Sequence, residues 1–97
     1  MIVPGLIQSP GTFHSQQTNG NGVLAVFPDE LRFVLGIPRR VVVVPRGQMK
    51  TINVTKNLKL QGVRRAGGPA YLVVEWEDRQ LGFQTAQAEE VLARFSR

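Results

Sequence analysis

Between Gly22 and Thr85 the chain is written in short β-branched and aromatic runs broken by turn residues, and only after Thr85 does the spacing of apolar residues become helical. A chain laid out this way folds as a β-meander followed by one helix. Seven runs are readable, at residues 22–27, 31–35, 40–44, 49–56, 58–64, 71–76 and 80–85. Pro28-Asp29-Glu30, Gly36-Ile37-Pro38 and Pro45-Arg46-Gly47 separate the early ones, because proline presets φ for a bend and cannot donate to a ladder. Asn57 reads as a tight link, residues 65–69 as a glycine-rich loop and Glu77-Asp78-Arg79 as a hairpin turn. In the fourth run Ile52 and Val54 alternate with Thr51, Asn53 and Thr55, which directs the first pair inward. The unbroken Val41-Val42-Val43-Val44 does not alternate, and implies a strand covered on both faces or placed at a sheet corner.

Ala88, Val91, Leu92 and Phe95 recur at i, i+3, i+4 and i+7, one face of a helix, with Glu89, Glu90 and Arg94 on the other. Thr85 is placed to cap this helix, and Glu90 and Arg94 are spaced as an i, i+4 ion pair. A helix of about ten residues is marginal alone, so the stripe of Ala88, Val91, Leu92 and Phe95 has to dock on the sheet. Residues 1–21 are rich in Gly, Pro, Gln and Asn without sustained periodicity, and read as a flexible N-terminal arm ahead of a single domain at 22–97.

At 97 residues, one compact core is affordable and two are not. The absence of cysteine excludes disulfides, thiolate metal sites and cysteine nucleophiles. The most apolar stretch, the four valines, is far short of the about 20 residues a spanning helix needs, and Pro4 and Gly5 interrupt any signal-peptide core. A cytoplasmic location is the resulting expectation. Twelve Lys and Arg against seven Asp and Glu give a net charge of +5, which admits acidic partners without naming one.

Gly22-Val23-Leu24-Ala25-Val26-Phe27 with Leu31-Arg32-Phe33-Val34 resembles the opening hairpin of GRAM-type and bacterial pleckstrin-homology-like domains. Val43-Val44-Pro45 ahead of Met49 and Ile52 is similar to their third and fourth strands, and Phe83 to the aromatic of their last strand. The resemblance covers roughly residues 22 to 95 and implies a seven-stranded, partly open barrel of two near-orthogonal antiparallel sheets, capped by a C-terminal helix. It further implies a peptide groove between that helix and an exposed sheet edge. The turn Pro28-Asp29-Glu30 departs from the basic first turn of phosphoinositide-binding members, and its two carboxylates would repel an inositol phosphate.

Enzymatic chemistry has little to work with. His14, the single histidine, falls in the arm, and Glu75, Glu77 and Asp78 read as a solvated hairpin edge rather than an acid–base pair. Gly67-Gly68 beside Arg64 and Arg65 is followed by no helix start that could cradle a phosphate. No catalytic, metal or cofactor residue is assigned. The anionic-ligand candidates are Arg39, Arg40, Arg46, Lys50, Arg64 and Arg65, with Lys56 and Lys59 a further basic pair, nearly all of them at strand ends or in turns. The expectation is a non-enzymatic binding or scaffolding module for protein or peptide association, including homo-oligomers. Anionic membrane lipid is the second candidate partner and nucleic acid the third, the latter weakened by thin aromatic interleaving of Phe13, Tyr71 and Trp76.

Overall fold

The computed structural model describes residues 1–9, 18–36, 39–60 and 63–95. Along them run β1 (Ile2–Ser9), β2 (Thr18–Val26), β3 (Glu30–Leu35), β4 (Arg40–Pro45), a one-turn 3-10 helix (Arg46–Gln48), β5 (Met49–Leu60), β6 (Val63–Trp76), β7 (Arg79–Gln84) and α1 (Ala88–Phe95). The strands form one antiparallel sheet of seven, ordered β4-β3-β2-β1-β7-β6-β5. It does not close, since among the described residues β4 pairs only with β3 and β5 only with β6.

Two sequence expectations are corrected here. Residues 2–9, read as part of a flexible arm, are the middle strand: β1 pairs with β2 along its whole length and with β7 from Leu6 to Gln8. Val3 and Ile7 face inward and are fully buried, and that burial outweighs the breaker composition around them. Pro4 precedes the stretch bonded to β7, where a missing donor is tolerated. Thr12, Phe13 and His14 of the expected arm lie outside the described residues.

The second correction concerns residues 58–64, expected as a separate strand after a link at Asn57. Residues 49–60 are instead one continuous strand, and the expected loop at 65–69 is part of β6. The register jumps from Thr55↔Tyr71 to Asn57↔Ala66, so β6 carries extra residues that kink it. Gly67 and Gly68 adopt φ of 89° and 72° at the kink, and the Gln84 side chain pins it by donating to the carbonyls of Gly67 and Pro69. The distal β5–β6 hairpin then folds over β7, where Leu58 is buried with Tyr71 and packs where a Gly82 Cβ would stand.

Phe33 on β3 and Phe83 on β7 are separated by two intervening strands, which in a flat sheet would hold them about 14 Å apart. Their ring centroids are 5.6 Å apart, so the sheet curls until its inner faces meet. Gly5 and Gly22, directly opposite each other on β1 and β2, permit the curl. A Cβ on Gly5 would lie 2.5 Å from the Gln84 carbonyl oxygen and 2.6 Å from the Phe83 ring, and one on Gly22 would lie 2.5 Å from the Val34 carbonyl oxygen. Around the two rings, Leu24, Leu31, Val44, Leu72, Val74, Trp76 and Leu81 complete the core.

α1 packs on β5 and β6 and seals the open side with Ala88, Val91 and Phe95, all buried, and Leu92, half-buried. Thr85 starts it: its Oγ1 accepts from the Gln87 N–H at 3.3 Å and its carbonyl from the Ala88 N–H at 3.4 Å. The expected Glu90–Arg94 pair is not formed. Glu90 accepts instead from the Gln87 side chain at 3.4 Å, the exposed ion pair being worth too little to hold two long side chains in place.

Gly5→Ala is expected to destabilise the protein by about 2–3 kcal/mol, because backbone and a ring must both shift to admit one methyl. Gly47→Ala, where nothing lies within 4 Å of an added Cβ, should stay within about 0.5 kcal/mol of wild type. Thermal denaturation followed by circular dichroism compares the two, and equal melting temperatures would contradict the assigned role of Gly5.

Candidate functional site

Arg46, expected at the end of the third run as an anion contact, is built into the structure. Its backbone N–H donates to the Asp29 carbonyl at 2.8 Å and its Nε to the Pro28 carbonyl at 2.8 Å. One Nη donates to the Phe95 carbonyl at the C-terminal end of α1, and the guanidinium lies 4.1 Å from the centroid of the Phe95 ring. A cation at a helix C-terminus meets the negative end of the helix dipole and satisfies an orphan carbonyl. Arg46 thereby ties the β2–β3 turn, the end of β4 and the last turn of α1 together.

Two recesses flank this arginine. One, of about 460 Å³, is lined by Met1, Val26, Phe27, Pro28, Arg46 and Arg94. The other, of about 210 Å³, lies where α1 meets the start of β5 and is lined by Arg46, Met49, Lys50, Thr51, Ile52 and Phe95. Beside the second recess the outer edge of β5 has no strand partner among the described residues, and Ile52 and Val54 are only half-buried although they pack on the core.

Of the six basic candidates, Arg46 and Lys50 share the smaller recess, and the other four lie elsewhere. Arg39 is exposed just before β4, and Arg40, half-buried and engaged, pairs with Leu35 at the end of the β3–β4 ladder opposite to the one where Arg46 follows Pro45. Lys50 is exposed at the start of β5. Arg64 and Arg65 stand opposite Lys59 and Leu58 in the distal β5–β6 hairpin, far along the strand from Lys50. Between Thr55 and Ala70 this hairpin contains no acidic residue.

Of the carboxylates in the last hairpin, that of Glu75 is held by hydrogen bonds, while Glu77 and Asp78 are exposed. Glu75 accepts from Thr51 Oγ1 at 2.8 Å and from Gln80 Nε2 at 3.2 Å, and Glu77 turns the chain at φ 50°. Those two hydrogen bonds, with a smaller contribution from the Lys50 charge, hold the Glu75 carboxyl below its ordinary value of 4.5. No group of three or more His, Cys, Asp or Glu among the described residues is placed to hold a metal ion. Trp76 and Tyr71, weighed as stacking surfaces, are both buried.

A surface not anticipated from the sequence lies on the outside of β1–β4. Pro4, Val23, Val34 and Val41 stand directly opposite one another across the four strands. The next row is Ile2, Ala25, Arg32 and Val43. Arg32 donates to Glu30 and lies 4.9 Å over the Phe27 ring. The valine run was the available signal: Val42 and Val44 face the core, whereas Val41 and Val43 face outward and nothing in the described chain covers them.

No helix among the described residues is long and apolar enough to cross a membrane. Compared with family models, with curated proteins and with solved structures, the chain matches none of them.

Two expectations follow. Arg46→Ala should cost about 1–2 kcal/mol in urea unfolding, and Arg46→Lys should recover only part of it, because an ammonium cannot span both carbonyls as the fork does. Since the Glu75 pKa is depressed on folding, the stability it contributes is complete above about pH 4.5 and is lost as pH falls through its lower folded value. The stability gap between wild type and Thr51→Val, measured at pH 6, should therefore narrow towards pH 3; a gap constant with pH would contradict the assignment.

Proposed function

We propose that this chain is a non-enzymatic, pleckstrin-homology-like module that binds an extended peptide segment of a partner protein by adding it as a strand along β5, beside α1. What carries the reading is the free edge of β5 next to a recess of about 210 Å³ that joins apolar Met49, Ile52 and Phe95 to basic Arg46 and Lys50. An unpaired strand edge supplies main-chain affinity, and pockets for alternate side chains supply selectivity. The lining favours a peptide with an apolar residue next to a carboxylate. Seven antiparallel strands, in two runs of sequential neighbours (β1 to β4 and β5 to β7) joined by the β1–β7 pairing, with a helix docked on β5 and β6, support the pleckstrin-homology-like assignment, and the two-sheet barrel description belongs to the same proposal.

A specific observation favours one second reading. Lys56, Lys59, Arg64 and Arg65 share the acid-free distal hairpin, which suits an anionic lipid surface at about 1 kcal/mol per basic residue near the membrane.

Peptides selected by display against the protein are expected to shift the amide resonances of Met49 to Val54 and of Phe95 in a nuclear magnetic resonance titration. Shifts confined to other strands, or the failure of any peptide to be selected, would overturn the reading. Failure to pellet with phosphatidylserine vesicles at low salt would remove the lipid alternative.

A further inference from the structure

An antiparallel sheet with one face on the core normally reads polar on the other, because that face meets water. The outer face of β1–β4 does not. Ile2 is 74% exposed, Val41 50%, Val43 43% and Val23 38%, and Pro4, Ala25 and Val34 complete two cross-strand rows with a single charged residue between them. An exposed apolar patch made of adjacent cross-strand neighbours marks an interaction surface.

We infer that this face is where a second copy of the same chain packs, sheet against sheet about a twofold axis. The charge pattern decides the occupant. The chain carries +5 overall, so two copies repel over most of their surface. On this face, however, Arg32 is neutralised by Glu30 of the same chain, so two copies meet there without opposing net charge. A twofold near Arg32 also sets each Arg32–Glu30 pair beside its equivalent, where the pairs exchange partners without loss. An acidic protein or an anionic membrane gains nothing from a face without an uncompensated cation. Two rows across four strands cover roughly 300–400 Å² per copy, against about 800 Å² per partner in a standard stable interface. The association is therefore transient and dependent on concentration. It uses the opposite end of the sheet from the β5 edge, so it stands or falls independently of peptide binding there.

Sedimentation velocity on the full chain tests it. The weight-average mass is expected to rise from 10.8 kDa towards twice that between roughly 10 μM and 1 mM protein, with no weakening from 0.15 to 0.5 M NaCl, because the contact is apolar and locally neutral. Val41→Lys and Val43→Lys, outward-facing on an edge strand, should keep the wild-type melting temperature within a few degrees and weaken dimerisation at least tenfold. Lys50→Glu, on β5, should leave the dimer unchanged. A mass constant at one chain up to 1 mM would overturn the proposal, as would a dimer indifferent to both valine substitutions or one that salt dissociates. Pelleting of the wild type with neutral phosphatidylcholine vesicles, abolished by Val43→Lys, would equally overturn it by assigning the face to lipid.

Discussion

The close approach of the Phe83 ring to the backbone of Gly5 is the constraint on which the rest of the structure depends. The sheet has to bend sharply between β2 and β7 if Phe33 and Phe83 are to meet, and the bend is possible only because β1 and β2 present no side chain at the point of contact. Once the rings meet, the side of the core along β5 and β6 is left for the helix to cover. α1 covers that side with Ala88, Val91 and Phe95, and its eight residues would not persist as a helix without the docking. The curl and the helix are thus one cooperative arrangement.

Arg46 fastens that arrangement, and in doing so it separates two kinds of surface. Its hydrogen bonds to Pro28 and Phe95 hold the helix end against the β2–β3 turn, leaving a recess on either side. A guanidinium held by two carbonyls and an aromatic ring contributes positive potential to the recess walls without being free to reorganise around a ligand. Under the proposed reading, that suits a carboxylate carried by a peptide, whose position main-chain pairing would set, better than a mobile phosphate. A closed sheet would have no edge to offer such a peptide, whereas here β4 and β5 each have one side unpaired among the described residues.

Residues that act through local spacing were legible in advance. Val91 and Phe95 declare a docked helical stripe, Thr85 its cap, and the alternation that directs Ile52 and Val54 inward a strand face, because those signals need no knowledge of distant neighbours. The same rules misjudged β1. Pro4 and Gly5 look like breakers locally, yet Gly5 is required by Phe83, a residue 78 positions away in sequence. Gly67 and Gly68 look locally like a loop because their neighbours in space, Gln84 and the distal hairpin, are invisible to a local window. Arg46 looked like any exposed cation until its partners at Pro28 and Phe95 were in place.

What the sequence alone determined is the inventory: a mostly β chain without cysteine, short strands ended by proline and glycine, an excess of positive charge, and one amphipathic helix at the end. Each of these follows from residue type and spacing, which act over a few positions. The tertiary structure decided which strand lies in the middle, which arginine is structural, where the basic residues part company, and which valines face water. Those outcomes depend on contacts between residues remote in the chain. Such contacts exist only after the sheet has curled, and the curl is set by the meeting of Phe33, Phe83 and Gly5 rather than by the preference of any one segment.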